Sequence, residues 1–560
     1  MQVDPATLAE IRRELETLAT LVRGVELSPA VVERVALEVE RIGIVRTIDR
    51  YLQPRFEAPD APVFVAIVGP GGTGKSTLVN SIAESAVTAT APTRPTTTIP
   101  VVWTGRRPGD AFWAETFGRI GEDDRPRAKI VFDEQPLTSH VTIVDTPPID
   151  YEPGDGTASA REVLSLSDIC VFVTSPARYA DAVGWRFVRE ARARGVPTLF
   201  VFNRLPSDDD VAQSLLRDLA TRLHARDLLL APDPGYIFGV REDRDLLAHG
   251  GLDPAAVVAL RNEFEGLRDP AFRIALMTQT ALTTTVSVAD RTDVLVGAFT
   301  TEQRALERLG VTAGEVYEEE ADRIGDELRA GDNASVADRA FWPEAWTDLA
   351  SVATRRAGVA AQRTATFWSE SAAGRALLQD DGEGLWRHGE DIGRETAAAL
   401  DSFFTAGVDL SRRRSRRGRL RAGAANKSFD EVWRLALDPQ RSARSLLRRR
   451  YGDRLGGMVA EVREGLVSTL TDALRRDGER FRHRATPVTD AGTPGALASA
   501  ADRVRTLARS AVPTEDVAHS EPELASPSEE DAVAEDEPRT VVDEVEGDAE
   551  QGGGTAVPDA

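Results

Sequence analysis

The sequence VFVAIVGPGGTGKSTLVN, residues Val63 to Asn80, decides the fold of this 560-residue chain. Its first six residues are apolar and predict a buried strand, and the loop that follows matches the pattern GxxxxGK[ST] in full. A helix is expected to begin at Lys75 and to end near Ala83. In this strand–loop–helix context, successive backbone N–H groups can surround a chain of phosphates. The stretch therefore predicts a nucleotide site in a P-loop domain.

The residues of this loop have different predicted roles in binding a nucleotide. We expect Lys75 to bridge the terminal phosphates as a catalytic residue, and the Ser76 hydroxyl to bind Mg²⁺. Lysine is rare here, with three in the chain against 65 arginines, so a lysine at this position is informative. The predicted nucleotide-binding residues of the segment are Gly69, Gly71, Gly72, Thr73, Gly74, Lys75, Ser76 and Thr77.

A second segment, DTPP at Asp145 to Pro148, ends the apolar run VTIV. A carboxylate at the tip of a strand beside the P-loop can hold Mg²⁺, usually through water. We therefore predict Asp145 as a magnesium ligand. The alternative is an ordinary acid at a strand end.

The threonine-rich segment APTRPTTTIPVVW, residues 91–103, lies between the P-loop and Asp145. A switch loop needs a threonine that binds the metal while a γ-phosphate is present and lets go after hydrolysis. Thr96, Thr97 and Thr98 all qualify by position, and Thr97 is our first choice as metal ligand and catalytic residue. The alternative is a Thr- and Pro-rich loop that enters an edge strand.

The periodicity of the chain divides it into four regions. Residues 1–55 predict an N-terminal helical hairpin, with Ser28 capping the second helix. Residues 60–250 alternate short apolar runs with helical patterns, which predicts an α/β P-loop domain with a doubly wound, mostly parallel sheet. The predicted strands after the first are 141–144, 169–173, 198–202 and 236–240. Residues 255–510 have helical spacing alone and predict an all-α bundle or effector region.

The last region, residues 511–560, is acidic and is expected to be disordered. It holds 16 of the 91 acidic residues and one arginine, so it accounts for most of the net charge of −23. The apolar window at Ile274 to Ala289 is short and threonine-rich, which predicts a helix and not a membrane span. One cysteine, Cys170, and an N-terminal segment without an apolar leader predict a cytoplasmic protein.

The order of P-loop, threonine loop, DTP and Asn-Arg resembles the translation-factor-like GTPases, within them the Era-like and dynamin-like groups, over roughly residues 60–245. The segment VFVTSPARYADAVGWRFVREARARGVPTLFVFNRLP, residues 171–206, looks like actinobacterial proteins of the dynamin family. The large helical region after the nucleotide domain is also dynamin-like in plan. The resemblance implies a guanine nucleotide with Mg²⁺, and a homodimer or a sister GTPase as partner.

Guanine reading depends on the segment TLFVFNRLPSDD, which begins at Thr198. GTPases carry [NT]KxD after a buried strand, and its aspartate recognises guanine. Asn203 and Arg204 fit this pattern and are predicted to bind the nucleotide, but Pro206 stands in the aspartate position and Asp208 follows two residues late. Because a missing acceptor costs selectivity, the choice between GTP and ATP stays open at this point.

Two more departures bear on hydrolysis. Pro148 stands where these GTPases have the glycine whose N–H senses the γ-phosphate, and proline has no N–H. Ile149 stands where small GTPases have a glutamine that orients water, so we expect slow hydrolysis that needs a partner, dimerisation or an arginine in trans. Arg94 and Arg178 are the candidate arginines.

An arginine cluster, SRRRSRRGRLR, holds seven arginines between Ser411 and Arg421, and LLRRR follows at residues 446–450. Such a cluster can bind an anionic membrane surface, which would place the protein peripherally at the inner membrane face. Nucleic acid is the weaker candidate, because no aromatic residues interleave the Arg412–Arg421 region. The alternatives are a solvated loop or a docking site for the acidic tail.

These patterns together predict a GTP-binding protein that acts as a slow nucleotide-dependent switch or as a dynamin-like, membrane-associated mechanoenzyme. Two alternatives remain open from the sequence. One is a P-loop ATPase or kinase that uses ATP with Mg²⁺. The other is a degenerate nucleotide-binding scaffold without turnover.

Overall fold

The computed structural model describes residues 3–90, 97–105, 128–149, 155–242, 252, 254–330, 344–380, 384–414, 422–440, 444–488, 490 and 492–512. They belong to one compact unit, Met1–Val512. Four of the predictions lie outside what is described: Arg94, Thr96, the side chains of the Arg412–Arg421 region, and the acidic tail from Pro513.

The strands of the described residues form a single sheet. They are β1 (Val63–Val68), β2 (Val101–Thr104), β3 (Lys129–Phe132), β4 (Val141–Asp145), β5 (Ile169–Thr174), β6 (Thr198–Leu205) and β7 (Ile237–Arg241). Their order is β3-β2-β4-β1-β5-β6-β7, and every neighbouring pair is parallel except β2 with β4. The predicted doubly wound, mostly parallel sheet is confirmed. The predicted strands did not include β2, which entered only as the edge strand of the alternative for residues 91–103, or β3, a short and mostly exposed edge strand.

The helices of the nucleotide domain and of the helical region follow in chain order. The first group is α1 (Pro5–Arg23), α2 (Arg34–Thr47), α3 (Gln53–Glu57), α4 (Lys75–Ala83), α5 (Asp155–Leu166), α6 (Ala182–Ala193), α7 (Asp209–His224) and α8 (Pro254–Gly266). The second group is α9 (Pro270–Ala330), α10 (Glu344–Ser369), α11 (Ala372–Asp380), α12 (Ile392–Arg414), α13 (Ala422–Leu437), α14 (Arg444–Tyr451), α15 (Arg454–Arg484) and α16 (Thr493–Ala511). After β7 the described chain is helical, as the sequence predicts.

The sheet is buried on both faces, because its central strands alternate their side chains between two apolar cores. Val63, Val65 and Ile67 of β1 pack with α4 and α8. The alternate residues of β1, Phe64, Ala66 and Val68, pack in a second core with α5, α6, α7 and the N-terminal helices. Continuous apolar runs such as VFVAIV are typical of strands covered on both sides.

The N-terminal helices are part of this second core. α1 buries Ile11, Leu15 and Leu18 there, and the chain runs from α2 through a short π-helical turn, Ile48–Leu52, into α3. The prediction that Ser28 caps the second helix is wrong. α2 begins at Arg34, and the Ser28 hydroxyl is instead hydrogen-bonded to the buried carboxylate of Glu302 on α9.

A buried ion pair joins the N-terminal helices to the start of the sheet. Arg55 of α3 donates to Asp168, which precedes β5, over 2.5 Å, and their side chains are 3% and 0% exposed. Asp168 also accepts hydrogen bonds from the Tyr51 hydroxyl (3.0 Å) and from the Phe64 backbone N–H (2.7 Å). Burial raises the pKa of the Asp168 carboxyl, against the attraction of Arg55 and these hydrogen bonds.

One long helix, α9, connects the sheet with the helical region. Its 61 residues bury Ala281, Leu295 and Phe299 in the core beside the sheet. Its later part, from Leu306 to Leu328, packs in a third core with α10 to α15. The predicted helix at residues 274–289 is confirmed as part of α9. None of the helices within the described ranges has the length and apolarity needed to cross a membrane.

Candidate nucleotide-binding site

The P-loop connects β1 to α4 at the carboxyl edge of the sheet, and two of its glycines are required by close contacts. A Cβ on Gly69 would overlap the carbonyl oxygen of Val173 in β5. A Cβ on Gly74 would overlap the side-chain amide of Asn203, and the φ of Gly74 is 92°, where side chains are strained. The loop can therefore lie against β5 and β6 only because these positions have no side chain.

The Lys75 side chain folds back over the loop. Its Nζ donates to the carbonyl oxygens of Gly69 (2.9 Å) and Pro70 (3.1 Å), and the residue is 6% exposed. The Thr73 hydroxyl donates to the same Pro70 carbonyl over 2.9 Å. Gly74 stands at the N-cap of α4 and offers no capping side chain. The amino end of this helix and a buried ammonium group thus lie at one place, an arrangement that favours anions.

The three residues predicted as metal ligands come together beside Lys75. The Ser76 hydroxyl donates to Oδ2 of Asp145 over 2.7 Å, and it lies 3.0 Å from the hydroxyl of Thr97. Thr97 also donates to Oδ2 of Asp145 over 3.4 Å. Three oxygen-bearing side chains from the P-loop helix, the threonine loop and β4 therefore meet in one cluster.

The chemistry of this cluster fits Mg²⁺, which prefers hydroxyl, carboxylate and water oxygens. Asp145 is fully buried, and within the described parts of the chain its Oδ1 has no hydrogen-bond partner. Burial raises the pKa of the Asp145 carboxyl, against the attraction of Lys75 and the hydrogen bonds from neighbouring hydroxyls. A buried carboxylate oxygen without a partner is the kind of group that a cation completes.

Thr88 is a member of the cluster that the sequence did not reveal. Its hydroxyl donates to Oδ2 of Asp145 over 2.9 Å, and the residue is 4% exposed. It lies between the P-loop helix and the threonine loop and belongs to no recognisable pattern. Only the folded chain brings it to the carboxylate.

Asn203 braces the P-loop to β6. Its Nδ2 donates to the carbonyl oxygen of Thr73 over 2.8 Å, and its Oδ1 accepts the backbone N–H of Arg204 over 2.8 Å. Arg204 has a φ of 61° at a register shift between β6 and β7, and its side chain is exposed. The structure therefore places Asn203 against the P-loop, already engaged by backbone groups, and Arg204 after it with an exposed side chain.

Asp208, the acid nearest to the missing guanine-reading position, caps a helix. Its Oδ1 accepts the backbone N–H groups of Asp210 (3.0 Å) and Val211 (3.1 Å) at the start of α7. The neighbouring turn is held by Arg241 of β7, which donates to the carbonyl oxygen of Ser207 over 2.7 Å and contacts Asp209. Asp208 thus has a local structural role.

The residues after Asp145 are held tightly. The Thr146 hydroxyl donates to the carbonyl oxygen of Ile67 over 2.8 Å, which ties the end of β4 to β1. Ile149 is fully buried in the core with the N-terminal helices.

Arg178, one candidate for an arginine supplied to a partner, lies in the turn after β5 and forms an ion pair with Asp181 at 3.5 Å.

Comparison with known proteins gives one family match. Residues 64–204 match the model of the family described as 50S ribosome-binding GTPase. A comparison with curated proteins gives no match. The matched segment begins in β1 and ends at Arg204, so it spans the P-loop, Asp145 and Asn203.

Solved structures similar to this chain include a bacterial dynamin and Era. The dynamin comes from an oligomerised pair described in connection with sensing and tethering membranes; it is 14% identical over 89% of this chain and 94% of its own, with a TM-score of 0.33. Era in complex with MgGDPNP and a segment of 16S ribosomal RNA is 19% identical over 36% of this chain and 57% of its own, with a TM-score of 0.25. An Era variant from Aquifex aeolicus bound to GDP·AlF4⁻ is 18% identical over 36% and 56%, with a TM-score of 0.24.

The class of this part of the molecule follows from its fold, its site and the family match together. A mostly parallel sheet carries a P-loop at the carboxyl end of β1 and an aspartate at the end of the adjacent β4. Residues 64–204 therefore match a GTPase family model and lie in a P-loop domain, and a long helical region follows β7.

Proposed function

We propose that this protein binds GTP with Mg²⁺ and acts as a nucleotide-dependent switch that hydrolyses GTP slowly. The observation that carries the proposal is the meeting of Ser76, Thr97 and Asp145 beside a P-loop that holds a buried Lys75. The family match supports guanine over adenine nucleotides and leaves the ATPase or kinase alternative with less support.

Each residue of the site has a proposed role. Backbone N–H groups of the P-loop and the amino end of α4 bind the phosphates, and Lys75 leaves the carbonyls of Gly69 and Pro70 to bridge the terminal phosphates. Ser76 and Thr97 would hold Mg²⁺ directly, and Asp145 would hold it through water. The metal, when bound, neutralises the charge that develops on the phosphates. Asn203 keeps the loop at a fixed distance from β6.

Guanine preference tests the proposal most directly. Equilibrium binding of GTP, GDP and ATP to the full-length protein with Mg²⁺ is expected to show at least about tenfold tighter binding of GTP than of ATP. The expected preference is smaller than in GTPases with a complete [NT]KxD, because Pro206 supplies no acceptor and Asp208 caps α7. Equal or tighter ATP binding would overturn the guanine assignment in favour of an ATPase.

Slow turnover is the second expected result. Ile149 is apolar and buried at the position where a side chain would orient the attacking water, so the isolated protein lacks this function. We expect single-turnover hydrolysis of GTP well below about one per second. Phosphate release measured over a range of protein concentrations tests this, and a constant rate of several per second would contradict it. A rate that rises with concentration would identify a second copy as the stimulating partner.

An anionic surface is the proposed partner of the helical region. Helix α14 carries Arg444, Arg448 and Arg449, which with Ser445 line an open pocket of about 540 Å³, and Leu446 beside them is 69% exposed. Basic side chains around an exposed apolar one suit a surface of anionic headgroups. On this basis we propose a cytoplasmic location, peripheral to the membrane.

Substitution of this pocket tests the membrane contact. The triple variant R444Q/R448Q/R449Q is expected to lose most of its binding to phosphatidylserine vesicles in a sedimentation assay, by about tenfold or more, since each cation near such a surface contributes about 1 kcal/mol. R394Q is the matched control, because Arg394 on α12 is also an exposed helical arginine. Equal loss in the control, or full binding by the triple variant, would contradict the assignment.

Three further points belong to the proposal. We also propose the division into residues 1–55, 60–250, 255–510 and 511–560 as functional regions. The separate core of the helical region supports the third of them, whereas residues 1–55 share a core with the sheet. A homodimer or a sister GTPase is the proposed stimulating partner. The excess of 65 arginines over three lysines supports an actinobacterial source.

A further inference from the structure

Thr88 lies outside the motifs of the P-loop domain, yet its hydroxyl contacts the carboxylate of the proposed magnesium site. Oδ2 of Asp145 accepts hydrogen bonds from Ser76, Thr97 and Thr88, at 2.7, 3.4 and 2.9 Å. The hydroxyls of Ser76 and Thr97 belong to proposed metal ligands. The third hydroxyl, that of Thr88, is not among the proposed metal ligands.

The backbone of Thr88 is fixed by Asn80. Nδ2 of Asn80 donates to the carbonyl oxygen of Thr88, and the N–H of Thr88 donates to Oδ1 of Asn80, both over 2.9 Å. Asn80 lies one turn after Ser76 on α4. The position of the Thr88 hydroxyl is therefore set by the same helix that carries the metal-binding serine.

The carboxylate has two oxygens in different surroundings. Oδ2 is held by three hydroxyls, whereas Oδ1 is buried and has no hydrogen-bond partner among the residues that the structure describes. A hydroxyl that holds one oxygen of a carboxylate from the protein side fixes the rotation of the group and so the direction of the other oxygen. Ser76 and Thr97 contact the same Oδ2, so Thr88 holds the carboxylate at the oxygen that lies nearest to the proposed metal ligands.

We infer that Thr88 is a positioning residue of the magnesium site, held by Asn80 so that its hydroxyl orients the carboxylate of Asp145. This inference rests on the proposed function, because it concerns the metal that accompanies the nucleotide. Outer partners of this kind affect metal affinity, and their removal commonly costs 10- to 100-fold.

The test compares Thr88→Val with Thr88→Ser in the full-length protein. GTP affinity is measured by calorimetry, first in EDTA and then at increasing Mg²⁺ concentrations. The quantity compared is the Mg²⁺ concentration at which the increase in GTP affinity is half complete. For Thr88→Val we expect this concentration to rise at least about tenfold, while the affinity in EDTA stays within about twofold of the wild type. Thr88→Ser keeps the hydroxyl and is expected to restore the wild-type titration.

The outcomes separate the inference from the proposed function. If the GTP affinity of the wild-type protein does not depend on Mg²⁺, the proposed metal site is wrong, and so is the role of Thr88 in it. A normal wild-type response that Thr88→Val shares overturns the positioning role alone, as does a Thr88→Ser variant that behaves like the valine variant. If Thr88→Val does not fold, the Asn80→Ala variant is tested instead. It keeps the hydroxyl of Thr88 but removes the side chain that holds the Thr88 backbone in place. An unchanged Mg²⁺ titration in this variant would contradict the inference.

Discussion

Replacing Lys75 with alanine is expected to reduce GTP and GDP affinity at least about 100-fold, which corresponds to about 2.7 kcal/mol. Lys75 is 6% exposed, and its ammonium group donates to the carbonyls of Gly69 and Pro70 at the amino end of α4. A phosphate there would receive charge-assisted hydrogen bonds, each worth about 1.5–3 kcal/mol. Equilibrium titration with a fluorescent guanine nucleotide measures the loss.

Two control variants define what this result means. Lys427→Ala removes an exposed lysine on α13 and is expected to leave the affinity unchanged. Lys75→Arg keeps the charge, but a planar guanidinium does not fit where a compact ammonium is enclosed by the loop, so we expect most of the affinity to be lost. Wild-type affinity in Lys75→Ala would show that the nucleotide binds elsewhere.

Asp168→Ala is expected to destabilise the folded protein by about 3–5 kcal/mol, because it leaves the Arg55 guanidinium buried without its counter-ion. The Tyr51 hydroxyl and the Phe64 N–H lose their acceptor in the same step. Chemical denaturation followed by circular dichroism measures the change. Asp168→Asn keeps the shape of the side chain and is expected to lose less folding stability than Asp168→Ala.

The matched control is an exposed ion pair in the same part of the chain. Asp49→Ala breaks the contact between Asp49 and Arg23, whose side chains are 34% and 46% exposed, and should cost less than about 1 kcal/mol. If Asp168→Ala also costs less than about 1 kcal/mol, the buried pair does not hold the N-terminal helices against the sheet.

The elements of the P-loop domain were predictable because local patterns define them. The six apolar residues of β1 and the glycine-rich loop locate the first strand, and α4 has the predicted bounds, Lys75 to Ala83. Buried strands appear in the sequence as continuous apolar runs, and β4, β5 and β6 lie where such runs occur. β3 lacks such a run, because an exposed edge strand of four residues needs no apolar face.

The contacts around the metal site were not predictable in the same way. The pattern of spacing pointed to Asp145 and Thr97, but the approach of Thr88 depends on how the chain turns after α4. The capping role proposed for Ser28 failed for a similar reason, since a contact with Glu302, distant in sequence, competes with the local cap. Long-range contacts between short polar side chains leave no periodic signal.

Helix α9 joins the sheet to the helical region and has the length to act as a lever arm between them. Its 61 residues span about 90 Å at 1.5 Å per residue. Near the sheet it is tied to the nucleotide domain by the Thr284 hydroxyl, which donates to the carbonyl oxygen of Arg194 over 2.8 Å. A tilt of about 5° about Thr284 moves the end of the helix at Ala330, about 70 Å away, by about 6 Å. A small rotation beside the nucleotide would thus become, at the bundle, a displacement larger than the spacing between two strands.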